Sequence, residues 1–107
     1  MLPLTGKRYI LVTVAIQGFK CRDTQELFET GRSQRFGAIR KAATRKLTML
    51  QAATVLDDLK SPPGNRLEEL VRDRAGQHSI RINDHWRVCF VWTATGPTDV
   101  EITSHYA

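Results

Sequence analysis

The stretch from residue 77 to residue 92 constrains the fold most, because it holds two alternating segments separated by a short polar linker. Apolar and polar residues alternate with the period of a β-strand in Gln77–Ile82 and again in Trp86–Trp92. The linker, Asn83-Asp84-His85, has the composition of a tight turn. We therefore predict a β-hairpin whose apolar face is formed by His78, Ile80, Ile82, Trp86, Val88, Phe90 and Trp92.

The length of the loop decides which residues lie opposite one another in this hairpin. A three-residue loop pairs Ile80 with Val88 and Arg81 with Arg87, and it keeps the apolar residues on one face. A two-residue loop would mix apolar and polar residues on both faces, so the pattern favours the longer loop. This register brings two arginines together on the second face of the sheet, which we expect to stay partly open.

Two helices are predicted in the segment before this hairpin. Asp23 or Thr24 can cap a short helix, Gln25–Glu29, which ends at Gly31. Ser33 can cap a longer helix. Together the two helices form an αα-hairpin with a short turn.

The longer helix must end before residues 61–64, where two prolines and a glycine prevent its continuation. Its apolar residues recur in steps of three and four, which places them on one face. The residues of this face are Phe36, Ile39, Ala43, Leu47, Leu50 and Thr54.

The remaining strand signals complete the prediction of the fold. Arg8–Lys20 is rich in β-branched residues, and shorter strands are expected at Arg66–Val71 and Asp99–Thr103, the last after a turn at Gly96-Pro97. We predict an α+β fold: an antiparallel β-sheet with an N-terminal strand and a two-helix hairpin packed on one face. A chain of 107 residues is long enough for one such domain.

Charge and cysteine content narrow the class of protein. The net charge is +5 at neutral pH, which favours a polyanionic partner such as nucleic acid or an acidic protein. Two cysteines are fewer than a secreted scaffold of this size usually has, so we expect reduced thiols in a cytoplasmic protein. The apolar run Tyr9–Ile16 is too short to span a bilayer, and we expect no membrane association.

Two longer segments carry a resemblance to a known family. Asn65–Leu70, followed by Asp73–Phe90 with its Gly-Gln-His-Ser-Ile-Arg-Ile-Asn-Asp-His-Trp-Arg core, resembles the HigB-type toxins of the RelE/ParE superfamily. These are toxins of type II toxin–antitoxin systems, also called plasmid maintenance killer proteins. The resemblance indicates a single toxin domain at residues 16–107, with residues 1–15 as an N-terminal extension or first strand. It implies the RelE/ParE-like fold.

The resemblance also implies an activity and its partners. Such toxins cut mRNA in the ribosomal A site without a metal or another cofactor, by attack of a ribose 2′-hydroxyl on the adjacent phosphate. The implied partners are a HigA-like antitoxin with a helix-turn-helix domain, the ribosome and mRNA. Operator DNA would be reached only through the toxin–antitoxin complex.

The candidate catalytic residues lie in the hairpin and in the C-terminal tail. Arg87 matches the arginine that follows an aromatic residue in the family, and its guanidinium can hold a phosphate bidentately. His105 and Tyr106 are the candidates for proton transfer. The alternative interpretations are that Arg87 is an ordinary exposed arginine of a strand, and that His105 and Tyr106 belong to a frayed C-terminus without a role.

Further basic residues are candidates for binding RNA. Arg81 would neighbour Arg87 across the hairpin, and Arg72 and Arg74 precede the hairpin. Residues 32–46 include six basic residues and no acidic one. From this run we select four candidates for contact with RNA phosphates, although a solvated helix face is the alternative: Arg40, Lys41, Arg45 and Lys46.

Two departures from the family pattern leave other functions open. Family members commonly have lysine and glycine where this chain has Val71-Arg72, and Asp-Tyr-His where it has Ser104-His105-Tyr106. A ParE-like relative that inhibits DNA gyrase without cutting RNA is one alternative. A catalytically decayed toxin that acts only in an autoregulatory toxin–antitoxin complex is another.

Overall fold

The computed structural model describes residues 13–104 of the chain. The regular elements in this range are the helices α1 (Arg22–Thr30) and α2 (Arg40–Ala52) and the strands β1 (Glu68–Glu69), β2 (His78–Arg81), β3 (Arg87–Thr93) and β4 (Gly96–Thr103). Short 3-10 turns lie between them, at Gly37–Ile39, Leu56–Lys60, Pro63–Asn65 and Arg72–Arg74. The two helices precede an antiparallel sheet of order β1-β2-β3-β4, so the predicted α+β class is confirmed.

The predicted register of the β2–β3 hairpin is confirmed. Ile80 lies opposite Val88 and Arg81 lies opposite Arg87, while the Ile82 amide donates to the Trp86 carbonyl oxygen at 2.9 Å. The side chain of Asn83 explains the loop, because its Oδ1 accepts hydrogen bonds from the backbone amides of residues 85 and 86, each at 2.8 Å.

The predicted N-terminal strand takes an irregular form where the structure describes it. Residues 15–20 run parallel to β4 and exchange backbone hydrogen bonds with it, including Gln17 N to Pro97 O at 2.8 Å, but they form only an isolated bridge, Phe19 to Val100. Gly96 fits this contact, because a Cβ at that position would lie 2.2 Å from the carbonyl oxygen of Ala15. Residues 8–12 of the predicted strand lie outside the described residues.

Helix α1 is longer than the sequence predicts, and it begins differently. It starts at Arg22, so neither Asp23 nor Thr24 is its cap. The Thr24 hydroxyl instead accepts a hydrogen bond from the Ile102 amide at 3.0 Å, which joins the helix to β4. The predicted end is correct: Gly31 has a φ of +74° and closes the helix.

Helix α2 is shorter than the predicted helix at both ends. Ser33 does accept the Phe36 amide at 2.9 Å, but this contact opens a 3-10 turn and α2 begins only at Arg40. The α-helix stops at Ala52, and a separate 3-10 turn follows it. The connection between α1 and α2 is therefore longer than the predicted short turn. The turn before β4 also shifts, since Gly96 and Pro97 belong to the strand.

The core lies between the helices and the predicted apolar face of the sheet. Side chains from both helices and three strands form one buried cluster, which includes Leu27, Ala43, Leu47, Leu50, Ile80, Val88, Phe90, Val100 and Ile102. Thr54, predicted on the apolar face of the longer helix, is exposed because α2 ends before it. Trp86 packs edge-on against Phe36 at the margin of this cluster.

Candidate functional site

The opposite side of the sheet, here called the second face, presents two rows of residues that run across the strands. The registers align Arg81, Arg87 and Thr103 in one row. They align four residues in the other: Glu68, Ser79, Cys89 and Glu101. Because facing residues in paired strands share a face, all seven side chains are on the second face.

The Arg87 guanidinium is held in place by neutral groups. Its Nε donates to the Ser79 hydroxyl at 2.7 Å, and one Nη donates to the Arg66 carbonyl oxygen at 2.6 Å and to the Ser79 carbonyl oxygen at 3.3 Å. Arg87 is only 5% exposed, and Ser79, Cys89 and Thr103 beside it are also buried. The prediction of a partly open second face is therefore wrong around Arg87, because segment 65–74 contacts this face.

One acidic side chain also reaches the Arg87 guanidinium. Glu68 Oε1 lies 3.6 Å from an Arg87 Nη, and the Glu68 side chain is 55% exposed. The distance exceeds that of a hydrogen bond, so the contact is chiefly electrostatic. Arg66 lies just before β1, the strand that carries Glu68, and has a φ of +46°. In this conformation its carbonyl oxygen faces Arg87 and accepts a hydrogen bond from it.

Arg81 lies at the outer end of the same row. Its side chain is 34% exposed and forms an ion pair with Asp84 in the hairpin loop. Burial lowers the pKa of the Lys46 amine in α2, and the positive charges of Arg45 and then of Arg81 lower it further. The charges of Arg81 and Lys46, both predicted to bind RNA, therefore act on each other.

Lys46 is anchored by a residue that the sequence analysis did not select. Its Nζ donates to Oδ1 of Asn65, which is completely buried. The Asn65 amide donates in turn to the carbonyl oxygens of Leu59 and Ser61, at 3.1 and 3.3 Å. Asn65 thereby ties α2 to the segment that leads into β1.

The other two arginines predicted to bind RNA, Arg72 and Arg74, differ in their exposure. Arg74 is only 17% exposed and forms an ion pair with Glu101 at 3.2 Å, so its charge is already matched within the fold. Arg72 is exposed and has a φ of +58°, a backbone conformation that glycine adopts more readily than arginine. Val71, where the family pattern has lysine, is 60% exposed.

The three remaining predicted RNA ligands lie on a different surface. Arg40, Lys41 and Arg45 line a shallow depression of about 320 Å³ on the outer side of α2, together with Gly31 and Thr44. Within residues 13–104, no hydrogen bond or ion pair joins these cations to Arg87. They form a second positive surface.

The register brings the end of β4 next to Arg87. Thr103 lies opposite Arg87, so the C-terminal tail leaves the sheet beside the guanidinium. The candidate residues His105 and Tyr106 lie outside the described residues.

Comparison with known proteins identifies the family. A family model described as the RelE-like toxin HigB of type II toxin–antitoxin systems matches residues 18–106. The chain belongs to the HigB-like toxins. It is 38% identical over 76 residues to Toxin HigB-1 of Vibrio cholerae, which covers 69% of this chain and 80% of that protein. It is 32% identical over 65 residues to an uncharacterized protein of Haemophilus influenzae, covering 61% of this chain and 64% of that protein.

Membership of the family settles the general class of the molecule. It is a RelE-like toxin of a type II toxin–antitoxin system, which implies an antitoxin partner. In residues 13–104 of this HigB-like toxin, no cluster of three or more metal-ligating side chains is present. No helix within the same range is long and apolar enough to cross a membrane.

Three residues of the HigB-like site were missed at the level of sequence. Ser79 holds Arg87, Glu68 approaches the same guanidinium, and Asn65 fixes the segment between α2 and β1. A signal was present for Ser79, because the predicted register puts it on the same face as Arg81 and Arg87. The predicted strand Arg66–Val71 contains Glu68, but its partner strand could not be assigned from its own pattern.

Proposed function

We propose that this HigB-like toxin is a ribosome-dependent endoribonuclease that cuts mRNA in the ribosomal A site and so inhibits translation. The observation that carries the proposal is the row Arg81–Arg87–Thr103, in which two arginines lie opposite each other next to the last residue of β4. Cleavage by a 2′-hydroxyl requires cations that stabilise the phosphorane and groups that transfer protons, and we assign the second role to His105 or Tyr106.

The proposed chemistry assigns a role to each of these groups. The ribose 2′-hydroxyl attacks the adjacent phosphorus, the bond to the 5′-oxygen breaks, and a 2′,3′-cyclic phosphate forms. Arg87 stabilises the extra negative charge of the phosphorane, and its fixed position avoids reorganisation during the reaction. The 2′-hydroxyl gives up a proton and the leaving 5′-oxygen gains one; His105 or Tyr106 performs one of these transfers and solvent water the other. No metal ion takes part in this scheme.

The positive surfaces fit the proposed partners. Arg81, beside Arg87 in the sheet, and Lys46 would hold RNA next to Arg87, and Arg72 is exposed on the 3-10 turn before β2. The depression lined by Arg40, Lys41 and Arg45 suits phosphates of ribosomal RNA. Arg74 would support RNA binding only indirectly, through its ion pair with Glu101.

The remaining partners and the location belong to the same proposal. The antitoxin would be a HigA-like protein with a helix-turn-helix domain, and the toxin would reach operator DNA only through their complex. The ribosomal substrate and the reduced thiols that we expect place the protein in the cytoplasm.

One observation favours a second candidate function. Arg87 is buried, and Val71 is exposed where the family pattern has a lysine, so the site offers fewer accessible cations than the resemblance implies. A ParE-like inhibitor of DNA gyrase, or a decayed toxin that acts only in an autoregulatory complex, needs no such cations.

Primer extension on mRNA that is being translated tests the proposal. The wild-type protein should produce cuts that require ribosomes, and Arg81→Gln should reduce cleavage about tenfold by removing one phosphate contact, roughly 1.4 kcal/mol. Arg81 is the better test residue because removal of the buried Arg87 would also affect folding. Arg22→Gln, on the exposed start of α1, is the control with the same change of charge and should cut like the wild type.

Other outcomes would contradict the proposal. Cuts that appear without ribosomes would remove the dependence on translation. Growth arrest with intact mRNA and inhibited DNA supercoiling would support the gyrase inhibitor. If the folded protein neither cuts mRNA nor inhibits supercoiling, the result would indicate a decayed toxin.

A further inference from the structure

The contact between Arg87 and Glu68 joins a buried group to an exposed one. The Arg87 side chain is 6% exposed and the Glu68 side chain 55%, with 3.6 Å between the nitrogen and the oxygen. Glu68 is therefore on the solvent side of the pair, and an anion that approaches Arg87 past β1 meets its carboxylate.

The hydrogen bonds of Arg87 show that Glu68 is not needed to position it. The Ser79 hydroxyl and the carbonyl oxygens of Ser79 and Arg66 hold the guanidinium at 2.6–3.3 Å, whereas the carboxylate lies outside hydrogen-bond distance. Loss of Glu68 should therefore leave the guanidinium in place. It should change the electrostatic potential that an incoming anion meets.

The strand that carries Glu68 is short and lies at the edge of the sheet. β1 consists of two residues, and its one neighbour is β2. Both residues of β1 are exposed, so the Glu68 side chain is free to rotate away from the guanidinium. An RNA strand carries several phosphates and can also contact Arg81 in the same row, so it can displace this carboxylate where a single small anion cannot.

We propose that Glu68 determines which anions the Arg87 site binds, by acting as a built-in competitor that an RNA phosphate displaces and a weaker anion does not. The idea rests on the proposed function, because it takes a phosphodiester of RNA as the ligand. Its consequence is that Glu68 offsets part of the charge of the guanidinium until an RNA phosphate displaces it. Glu68 is thus a specificity-determining residue and takes no proton in the reaction.

The neighbouring residue of β1 offers a matched control. Glu69 is exposed, carries the same charge and belongs to the same short strand. Its register partner is His78, whose ring stacks on the core residue Phe90, so Glu69 is on the face opposite to Arg87. Glu68→Gln and Glu69→Gln therefore change the net charge of the protein equally but differ in their distance from the guanidinium.

The test measures binding of an oligoribonucleotide with 2′-O-methyl riboses, which cannot be cut, to the full-length proteins at low ionic strength. Glu68→Gln should bind it about five to ten times more tightly than the wild type, and Glu69→Gln less than about twofold more tightly. Added acetate should weaken binding to Glu68→Gln more than binding to the wild type. Thermal unfolding should be almost unchanged in both variants, because both side chains are exposed.

Three results would overturn the inference. Equal tightening in the two variants would mean that only total charge matters. Affinity that is unchanged or weaker in Glu68→Gln, including failure of all three proteins to bind, would mean that Glu68 competes with nothing. Loss of mRNA cleavage in Glu68→Gln with binding retained would make Glu68 a proton-transfer group instead. If the wild type cuts no translated mRNA but the predicted difference in binding is found, the proposed function fails and the anion site stands.

Discussion

Near the centre of the sheet both faces are buried, but the side chains on the two faces make different interactions. On the core face, Ile80, Val88 and Phe90 pack against the helices through apolar contact alone. On the second face, Ser79 and Arg87 are just as inaccessible, and they are linked by directed hydrogen bonds. Packing can adapt to small changes in shape, whereas hydrogen-bonded groups must be matched one by one.

This difference shows what alternation in a strand does and does not reveal. The two-residue period of a strand shows which side chains share a face. Polar residues on one face then suggest that this face contacts water. Here segment 65–74 contacts the polar face, and Arg66, just before β1, supplies an acceptor for the guanidinium. A polar face in this toxin is therefore a place where a charged group is held in position.

Truncation of Phe90 on the core face should have the largest effect on stability. Phe90 is completely buried in the core cluster, so Phe90→Ala should lower the free energy of unfolding by about 3–5 kcal/mol, from lost burial and the cavity left behind. Denaturant unfolding measures this directly. A loss below about 1 kcal/mol would mean that this face is packed too loosely to be the main core.

Removal of the Arg87 guanidinium from the second face should lower the free energy of unfolding less than truncation of Phe90 does. Arg87→Met keeps an apolar stem but leaves the Ser79 hydroxyl and the Arg66 carbonyl without their donor, so we expect a loss of about 2–3 kcal/mol in unfolding experiments. Arg81→Met is the control on the same row, and since Arg81 pairs with an exposed Asp84 it should lose less than about 1 kcal/mol. Equal effects would mean that the hydrogen bonds of Arg87 contribute little.

Much of the fold could be predicted because the sequence patterns that indicate it lie within short segments of the chain. The hairpin register follows from the alternation of residues 77–92 and from Asn83, whose side chain closes the loop. The start of α1 could not be predicted in this way. Thr24 looks like a cap, but its hydroxyl bonds to the amide of Ile102, 78 positions away, and a tertiary partner of this kind leaves no trace in the surrounding sequence.

The candidate site could be predicted only in part for the same physical reason. The pairing of Arg81 with Arg87 depends on two adjacent strands, and the sequence predicts it. The burial of Arg87 and its contact with Glu68 depend on how residues 65–74 fold back onto the sheet. That segment has a two-residue strand and two arginines with positive φ, so neither periodicity nor turn preferences predict its path.

The smallest expected effect concerns the Cys89 thiol on the second face. Burial raises the pKa of Cys89 from 9.0 to about 11. In the unfolded chain this thiol loses its proton near pH 9, whereas the folded protein keeps it until about pH 11, so base favours the unfolded state. The contribution of Cys89 to stability should be constant below pH 9 and fall by at most about 2 kcal/mol up to pH 11.

Cys89→Ala isolates this contribution, because the variant should show a flatter decline of stability between pH 9 and pH 11 than the wild type. The rate of alkylation sharpens the comparison between the faces, since Cys21 is half-buried whereas Cys89 is fully buried. In the folded protein at neutral pH, Cys21 should react first and Cys89 only after unfolding. If both thiols react equally fast, the second face opens to solvent around Cys89 in the folded protein, and its burial does not hold this face closed.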